Sequence, residues 1–306
     1  MSVVVTGGAG FIGSNLVKSL CSEGYEVVVL DNFSYGGRRV EGSKIRVVKG
    51  DIRDEGVVTT ALRDVDYVIH LAAIVGVTEA REDPLGAFDV NVKGTLRLLE
   101  ASRRLGVEKF VYASSVAVYG EPLYLPIDEA HPLNPKNVYG ATKLAGEALV
   151  SAYGEEYGIP TVALRYFNVY GPNMRSGPYA GVISRFMESG LRGEPLTIFG
   201  DGSQTRDFVY VEDVVRATLR ALGEGIRGVY NVGTGRSVTI LELAELVMKV
   251  VGRKLKVIYG PPRPGDIKHS RADISKAIRE LGWRPEIPLE EGLRLTLEHF
   301  KSSLKA

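Results

Sequence analysis

The sequence predicts an α/β fold, a doubly wound parallel sheet with a smaller C-terminal lobe. Three observations carry that prediction. Apolar, β-branched runs alternate with amphipathic segments through the first half, the first run feeds a glycine-rich turn, and the pattern changes near residue 167. The runs are SVVVT (2–6), YEVVVL (25–30), IRVVKG (45–50), DYVIHL (66–71), KFVYAS (109–114) and PTVALRY (160–166). They read as near-continuous apolar stretches, the pattern of strands covered by helices on both faces. Residues 11–22, 84–105 and 137–157 have helical periodicity and supply the crossovers. Right-handed βαβ units with short connections then wind the sheet outward in both directions, the Rossmann-type arrangement. Beyond residue 167, loops rich in Gly and Pro (NVYGPNMRSGPYAG, YGPPRPGD) separate shorter elements. The predicted division is a Rossmann domain over residues 1–166 and a lobe over 167–306, with some of the later chain crossing back to the sheet.

Composition narrows the function. In 306 residues, hydrophobic content of 44% and charged content of 25% are those of a globular protein. Lys plus Arg 38 against Asp plus Glu 37 leaves a net charge of +1, so no global field draws nucleic acid or an anionic membrane, and neither is expected as a partner. An anionic ligand must be met by local groups. A single cysteine, Cys21, excludes an internal disulfide and a cysteine-based metal cluster, and fits a reducing cytoplasm. No metal site is expected. The start MSVVVTGG lacks a basic leader, and nowhere do 18 apolar residues run together, so the reading is a cytoplasmic protein.

The first strand runs into TGGAGFIG, with Gly7, Gly10 and Gly13 at the positions where the chain must turn sharply, approach a pyrophosphate and let the next helix pack on the sheet. The amides and dipole of that helix's N-terminus face the phosphates. Eighteen residues past Gly13, strand two ends in Asp31, where a carboxylate accepts hydrogen bonds from ribose hydroxyls and repels a 2′-phosphate. NAD is therefore expected over NADP, although Arg38 and Arg39 are close by in sequence. GDIRD and HLAA end strands three and four at the same carboxyl edge, so Asp51 and Ile52 are placed to flank the adenine. His70, at the buried end of strand four without a metal-spaced partner, reads as structural.

Strand five delivers Ser114 and Ser115 to that edge, and NVYGATKLAG follows with Tyr139 and, four residues on, Lys143. Four residues is one helical turn, so the phenol and the ammonium share a face. Tyrosine starts near pKa 10, and bringing it close to 7 needs roughly 4 kcal/mol of selective support for the phenolate. Lys143 is expected to supply part of that and the oxidised nicotinamide's charge the rest.

The motifs TGGAGFIG, GDIRD, HLAA, NVKGT, SSVAVYG, YGATK, RYFNVYGP, GDGSQTRDFVYVEDV, YNVGTG and RPGD follow one another across nearly the whole chain. Together they resemble the extended short-chain dehydrogenase/reductase family, nucleotide-sugar branch. The resemblance implies an enzyme that binds NAD tightly in the Rossmann domain and a nucleoside-diphosphate sugar in the C-terminal lobe, with Ser115, Tyr139 and Lys143 catalytic. It implies cofactor contacts from Gly7, Gly10, Phe11, Ile12 and Gly13 of the turn, and from Asp31 and Asn32 after strand two. Asp51, Ile52, Leu71, Ala72 and Ala73 follow at the strand ends, then Asn91, Tyr139, Lys143, Tyr166 and Phe167. On the substrate side it implies Ser115 and Asn168, the strand LTIFG through Thr197 and Phe199, two phosphate arginines, Arg206 and Arg263, and Asp266. Ser270, four past Asp266, stands where a bulky residue restricts the sugar pocket, and its small size implies tolerance of N-acetylhexosamines. A homodimer packed through helices near 90–105 and 140–155 is also implied.

Within that branch, dehydratases carry an acidic pair after the catalytic Ser or Thr, because eliminating water needs a further acid and base. Here the residues are Val116 and Ala117, which move no proton. UDP-glucuronate decarboxylases are the closer alternative; they too carry an acidic residue in this segment and need a basic group to meet the substrate carboxylate, and a ketoreductase consuming NADPH would want a cation where Asp31 stands. An idle dinucleotide-sensing module would lack Tyr139 or Lys143. The remaining expectation is 4-epimerisation of a UDP-hexose of the glucose and galactose type, which asks only for an alcohol oxidation and its reversal.

Overall fold

The computed structural model describes residues 1–35, 40–175, 177, 180–262 and 265–303. From β1 (Ser2–Thr6) the chain turns through glycines into α1 (Phe11–Ser22), then forms β2 (Glu26–Asp31), β3 (Ile45–Lys49), α2 (Glu55–Leu62) and β4 (Tyr67–His70). Helices α3 (Val77–Glu82) and α4 (Pro84–Phe88) lead through a wide π-type turn at Asp89–Gly94 into α5 (Thr95–Leu105), followed by β5 (Lys109–Ser115), α6 (Val138–Tyr157) and β6 (Thr161–Tyr166). The π turn sits where Gly94 packs on Ile52, since a Cβ there would lie 2.6 Å from the Ile52 side chain.

The second half contributes β7 (Asn168–Tyr170), α7 (Val182–Arg192), β8 (Leu196–Phe199), β9 (Thr205–Arg206), β10 (Phe208–Tyr210) and α8 (Val211–Arg220). It continues through β11 (Gly228–Val232), β12 (Val238–Thr239), α9 (Ile240–Val251), β13 (Val257–Gly260) and α10 (Leu289–Ser303). The main sheet is parallel throughout, in the order β3-β2-β1-β4-β5-β6-β11, so the winding reverses between β1 and β4. That reversal opens a crevice at the carboxyl ends of the strands. Three two-stranded pairs, β7 with β10, β8 with β13 and β9 with β12, build the smaller lobe.

Each strand divides its side chains between two cores. Val3, Val5, Val27, Val29, Val111 and Leu164 join α1 on one face, with Val214, Val215 and Ala217 of α8 and Trp283. Val4, Val28, Leu30, Phe110 and Tyr112 meet α2 and α5 on the other. The sheet thus depends on later chain for its seventh strand and for α8, so residues 167–306 are not confined to the smaller lobe. A third core, including Phe186, Met187, Ile198, Leu243 and Leu293, belongs to that lobe. One expectation fails at β3: Arg46 and Val47 are exposed, Val47 by 43%, because β3 is the sheet edge and its faces are only partly covered. Among the described residues no helix is long and apolar enough to cross a membrane.

Candidate active site

The crevice is a cavity of about 1070 Å³. Its floor is the turn after β1. Gly7 has φ +68°, and a Cβ there would lie 2.9 Å from the Ala72 amide; a Cβ at Gly13 would lie 2.1 Å from the Gly7 carbonyl oxygen. These two positions accept only glycine. Helix α1 starts at Gly10 without a side-chain cap, so its first-turn amides are free to meet an anion. Gly7, Gly10, Phe11, Ile12 and Gly13 all line the cavity.

Asp31 lines it too, its carboxylate accepting from the Ala9 amide (3.0 Å) and the Phe33 amide (2.7 Å), which ties the end of β2 to the glycine turn. Asn32, Asp51, Ile52, Leu71, Ala72 and Ala73 form the adjoining wall. The Asp51 carboxyl is drawn down to about 2, chiefly by the Arg53 guanidinium hydrogen-bonded to it, with Asn32 Nδ2 adding a bond of 3.0 Å. Arg38 and Arg39, the residues that bore on the NADP alternative, lie outside the described residues.

At the other end of the cavity stand Ser115, Tyr139, Lys143, Tyr166 and Phe167. Ser115 Oγ accepts from the Ala117 amide (3.2 Å), which fixes the serine at the end of β5, on the same cavity wall as the Tyr139 phenol. Asn137 caps α6 by accepting from the Gly140 amide (2.9 Å), so Tyr139 falls in the first turn. The helix lies close enough to β5 for the relay because it presents glycines there. A Cβ at Gly140 would lie 2.5 Å from the Ala117 carbonyl and one at Gly146 2.3 Å from the Tyr112 hydroxyl.

Burial dominates the electrostatics of the pair in the protein alone. Burial pushes the Tyr139 phenol up, and the Ser115 side chain opposes that rise. Burial brings Lys143, 3% exposed, down to about 7 against the opposing charge of Glu147. In the protein alone Lys143 therefore does not bring the phenol towards neutrality, since removing both groups from water favours a neutral phenol and a neutral amine. Phenol with amine and phenolate with ammonium carry the same net charge, so a further positive charge tips the pair towards the second form when it lies nearer the phenolate oxygen than the ammonium. Ser114 also borders the cavity, but its hydroxyl is turned to Glu147 Oε2 (2.5 Å).

Asn91 is not on the cavity wall. It is 1% exposed and spent on the Ile74 amide (2.8 Å), the Ile74 carbonyl (3.1 Å) and Thr142 Oγ1 (3.0 Å), bracing the loop after β4 against α6. His70 is buried between Thr6 Oγ1 (2.7 Å) and Thr95 Oγ1 (2.9 Å), and burial pushes its imidazole well below the usual range. Among the residues named for substrate, Phe199 and Asp266 line a second cavity of about 680 Å³ between the ends of β8 and β13. Arg206 donates to Asp266 Oδ1 at 2.5 Å and is largely covered. Thr197 and Asn168 line neither cavity; Asn168 Nδ2 donates to the Asp207 carbonyl (3.2 Å). Ser270 lines neither, is 2% exposed, and its Oγ has no hydrogen-bond partner among the described residues. Arg263 lies outside the described residues.

Two features escaped the sequence reading. Across the cavity mouth, Arg175 bonds Glu79 of α3 (2.8 Å) and its guanidinium stacks over the Tyr35 ring at 4.3 Å, joining segments far apart in the chain. Behind the catalytic end, Arg165 of β6 pairs with Glu147 of α6, both almost fully buried. The signal for the second was present: one arginine inside the apolar strand PTVALRY requires a buried partner.

Residues 3–233 match the NAD dependent epimerase/dehydratase family. The chain is 42% identical to the UDP-glucose 4-epimerase of Mycolicibacterium smegmatis over 311 residues, 99% of either chain. Among solved structures, UDP-glucose 4-epimerase from Thermotoga maritima with UDP-glucose matches with a TM-score of 0.96 at 41% identity, covering 99% of this chain and 100% of that one. The Thermus thermophilus UDP-glucose 4-epimerase complex with NAD matches with a TM-score of 0.93 at 43% identity, over 99% and 100% of the two chains.

Proposed function

This chain belongs to the NAD dependent epimerase/dehydratase family, and from that premise we propose that it is an NAD-dependent 4-epimerase interconverting UDP-glucose and UDP-galactose. The observation that carries the reading is one cavity bounded at one end by the glycine turn and Asp31 and at the other by Ser115, Tyr139 and Lys143. NAD fits this cavity because Gly7 and Gly13 leave no room for a Cβ, the amides at the start of α1 are uncapped, and a carboxylate stands at the end of β2. When bound, NAD supplies the two-electron oxidation of carbon 4 and its reversal.

The chain's own residues manage the proton and the position of the sugar. Tyr139 Oη takes the proton from the 4-hydroxyl and later returns it to the same oxygen. Ser115, on the same cavity wall as that phenol, orients the sugar oxygen against it. Lys143 as ammonium supports the phenolate. Inversion requires the 4-keto hexose to turn about its bond to the diphosphate, so the nucleotide must be gripped while the sugar is loose. Arg206, with Arg263, is assigned to the diphosphate; the Asp266 carboxylate that Arg206 now holds must yield the guanidinium to it. Val116 and Ala117 offer no further acid or base, so the 4-keto sugar is not carried on to dehydration.

The test is incubation of the purified protein with UDP-galactose and separation of the products, repeated with Tyr139→Phe. UDP-glucose from the wild type and loss in the variant support the reading; full activity in the variant overturns it. Small Ser270 extends the reading to UDP-N-acetylhexosamines, and absence of conversion of UDP-N-acetylglucosamine refutes that extension alone. The dimer is assigned to the helices near 90–105 and 140–155, where Leu96 and Leu105 are exposed; a monomeric mass in light scattering refutes it. The single cysteine, Cys21, fits our reading of a protein of the reducing cytoplasm.

A further inference from the structure

Glu147 lies one helical turn beyond Lys143 on α6, its side chain 5% exposed and that of Arg165 4%. Both carboxylate oxygens are engaged. Arg165 Nε donates to each at 3.1 Å, Arg165 Nη2 to Oε1 at 2.5 Å, and Ser114 Oγ to Oε2 at 2.5 Å. Arg165 Nη1 is held in turn by Tyr119 Oη (2.8 Å) and the Glu129 carbonyl (3.1 Å), and Tyr119 donates to Asn231 Oδ1 (2.7 Å). The carboxylate therefore cannot swing away, and its position is fixed from β5, β6 and β11.

The Lys143 ammonium lies over the Tyr112 ring, 4.2 Å from its centroid. The titratable groups acting on it are Glu147 from its own helix, Tyr112 from β5 and His70 from β4, and Tyr139 lines the same cavity one turn before it. Arg165 of β6 stands on the other side of Glu147. Burial keeps His70 neutral and holds Tyr112 as a phenol, so Glu147 is the anion among them. A buried ion pair is costly and contributes little to stability compared with an apolar replacement, so stability is a weak account of one placed a helical turn from Lys143.

We propose that Glu147 is a positioning residue for the proton relay: clamped by Arg165 and Ser114, it is the fixed buried anion that keeps Lys143 as an ammonium able to support a phenolate at Tyr139. This rests on Tyr139 being the proton-transfer group. Turnover then falls on the alkaline side as Lys143 loses its proton. Removing the carboxylate charge moves that fall to lower pH, and each unit of displacement costs about tenfold at a fixed pH on the limb.

The experiment compares pH profiles of kcat for NAD-loaded wild type, Glu147→Gln and Glu147→Asp with UDP-galactose. Displacement of the alkaline limb by about one unit to lower pH in Glu147→Gln, with an unchanged KM and a near-wild-type limb in Glu147→Asp, supports the proposal. A Glu147→Gln profile that superposes on the wild type, or a loss that is the same at every pH, overturns it. Should Glu147→Gln fail to fold, nitrogen-15 NMR titration of Lys143 in the wild type decides: an ammonium at the pH of maximal turnover is required, and a neutral amine there overturns the proposal. Inactive Tyr139→Phe beside an unshifted Glu147→Gln sinks this inference alone, whereas active Tyr139→Phe sinks the functional reading beneath it.

Discussion

Gly13→Ala and Gly10→Ala separate two reasons for a glycine in one turn. A Cβ at Gly13 would lie 2.1 Å from the Gly7 carbonyl oxygen and 2.7 Å from Gly8 Cα, both backbone atoms, so ordinary contact requires the start of α1 to retreat by more than an ångström. Leu16, Val17 and Leu20 of that helix are fully buried and resist the movement. The overpacking costs the cofactor-free protein about 1–3 kcal/mol or more. The retreat also withdraws the first-turn amides from the cavity, and losing one or two charge-assisted hydrogen bonds at about 1.5–3 kcal/mol each weakens NAD binding roughly a hundredfold. A Cβ at Gly10 meets only the Gly7 carbonyl at 3.2 Å and lines the cavity. Gly10→Ala should leave the stability of the cofactor-free protein within about 0.5 kcal/mol of wild type, on the scale of a surface substitution, while still lowering NAD affinity by crowding the ligand. Urea unfolding of the stripped proteins and calorimetric titration with NAD read the two effects separately. Gly13→Ala as stable as wild type with undiminished NAD binding would refute the account of the turn.

Tyr139→Phe should lower kcat by about 10²–10⁴ with little change in KM, the loss typical of a general acid–base group, as steady-state kinetics will show. Lys143→Met should abolish turnover yet stabilise the cofactor-free protein by a few kcal/mol near pH 6, because it removes a cation whose pKa burial lowers to about 7. The sign follows from linkage: between about 7 and the unfolded value the unfolded chain binds the proton and the folded one does not, so wild-type stability rises with pH across that window and the advantage of the variant shrinks. Denaturant melts at several pH values check this. Arg206→Ala should weaken UDP binding by about 1.5–3 kcal/mol, read by titration with UDP, while leaving NAD content unchanged.

The sheet was legible because its strands are continuous apolar runs, and the cofactor end because a strand, a glycine turn, a helix and an acidic strand end follow in a fixed local order. Ser115, Tyr139 and Lys143 could be assembled from a strand end and one helical turn. What escaped depends on distant pairing. Gly228–Val232 joins the sheet beside β6 from more than sixty residues downstream, and the exposure of β3 follows from its being the edge, which no local pattern states. Glu147 and Arg165 meet across eighteen residues, Arg206 and Asp266 across sixty, and Arg175 reaches Tyr35 and Glu79 from the other half of the chain. Asn91, expected as a cofactor contact, is turned to Ile74 and Thr142, because sequence shows that an amide is near the site, not which way it faces. The spacing of Tyr139 to Lys143 shows the attraction between them and hides the burial that raises the phenol and lowers the amine.

The central claim is that oxidation and reduction occur at one sugar carbon within one cavity, with a single phenol moving the proton. UDP-galactose carrying deuterium at carbon 4, incubated with the NAD-loaded protein in ordinary water, tests it most directly by mass and NMR analysis of the product. The account predicts UDP-glucose with the deuterium still on carbon 4 and no net change in nicotinamide absorbance. Loss of the label to solvent, or no epimer at all, would contradict it.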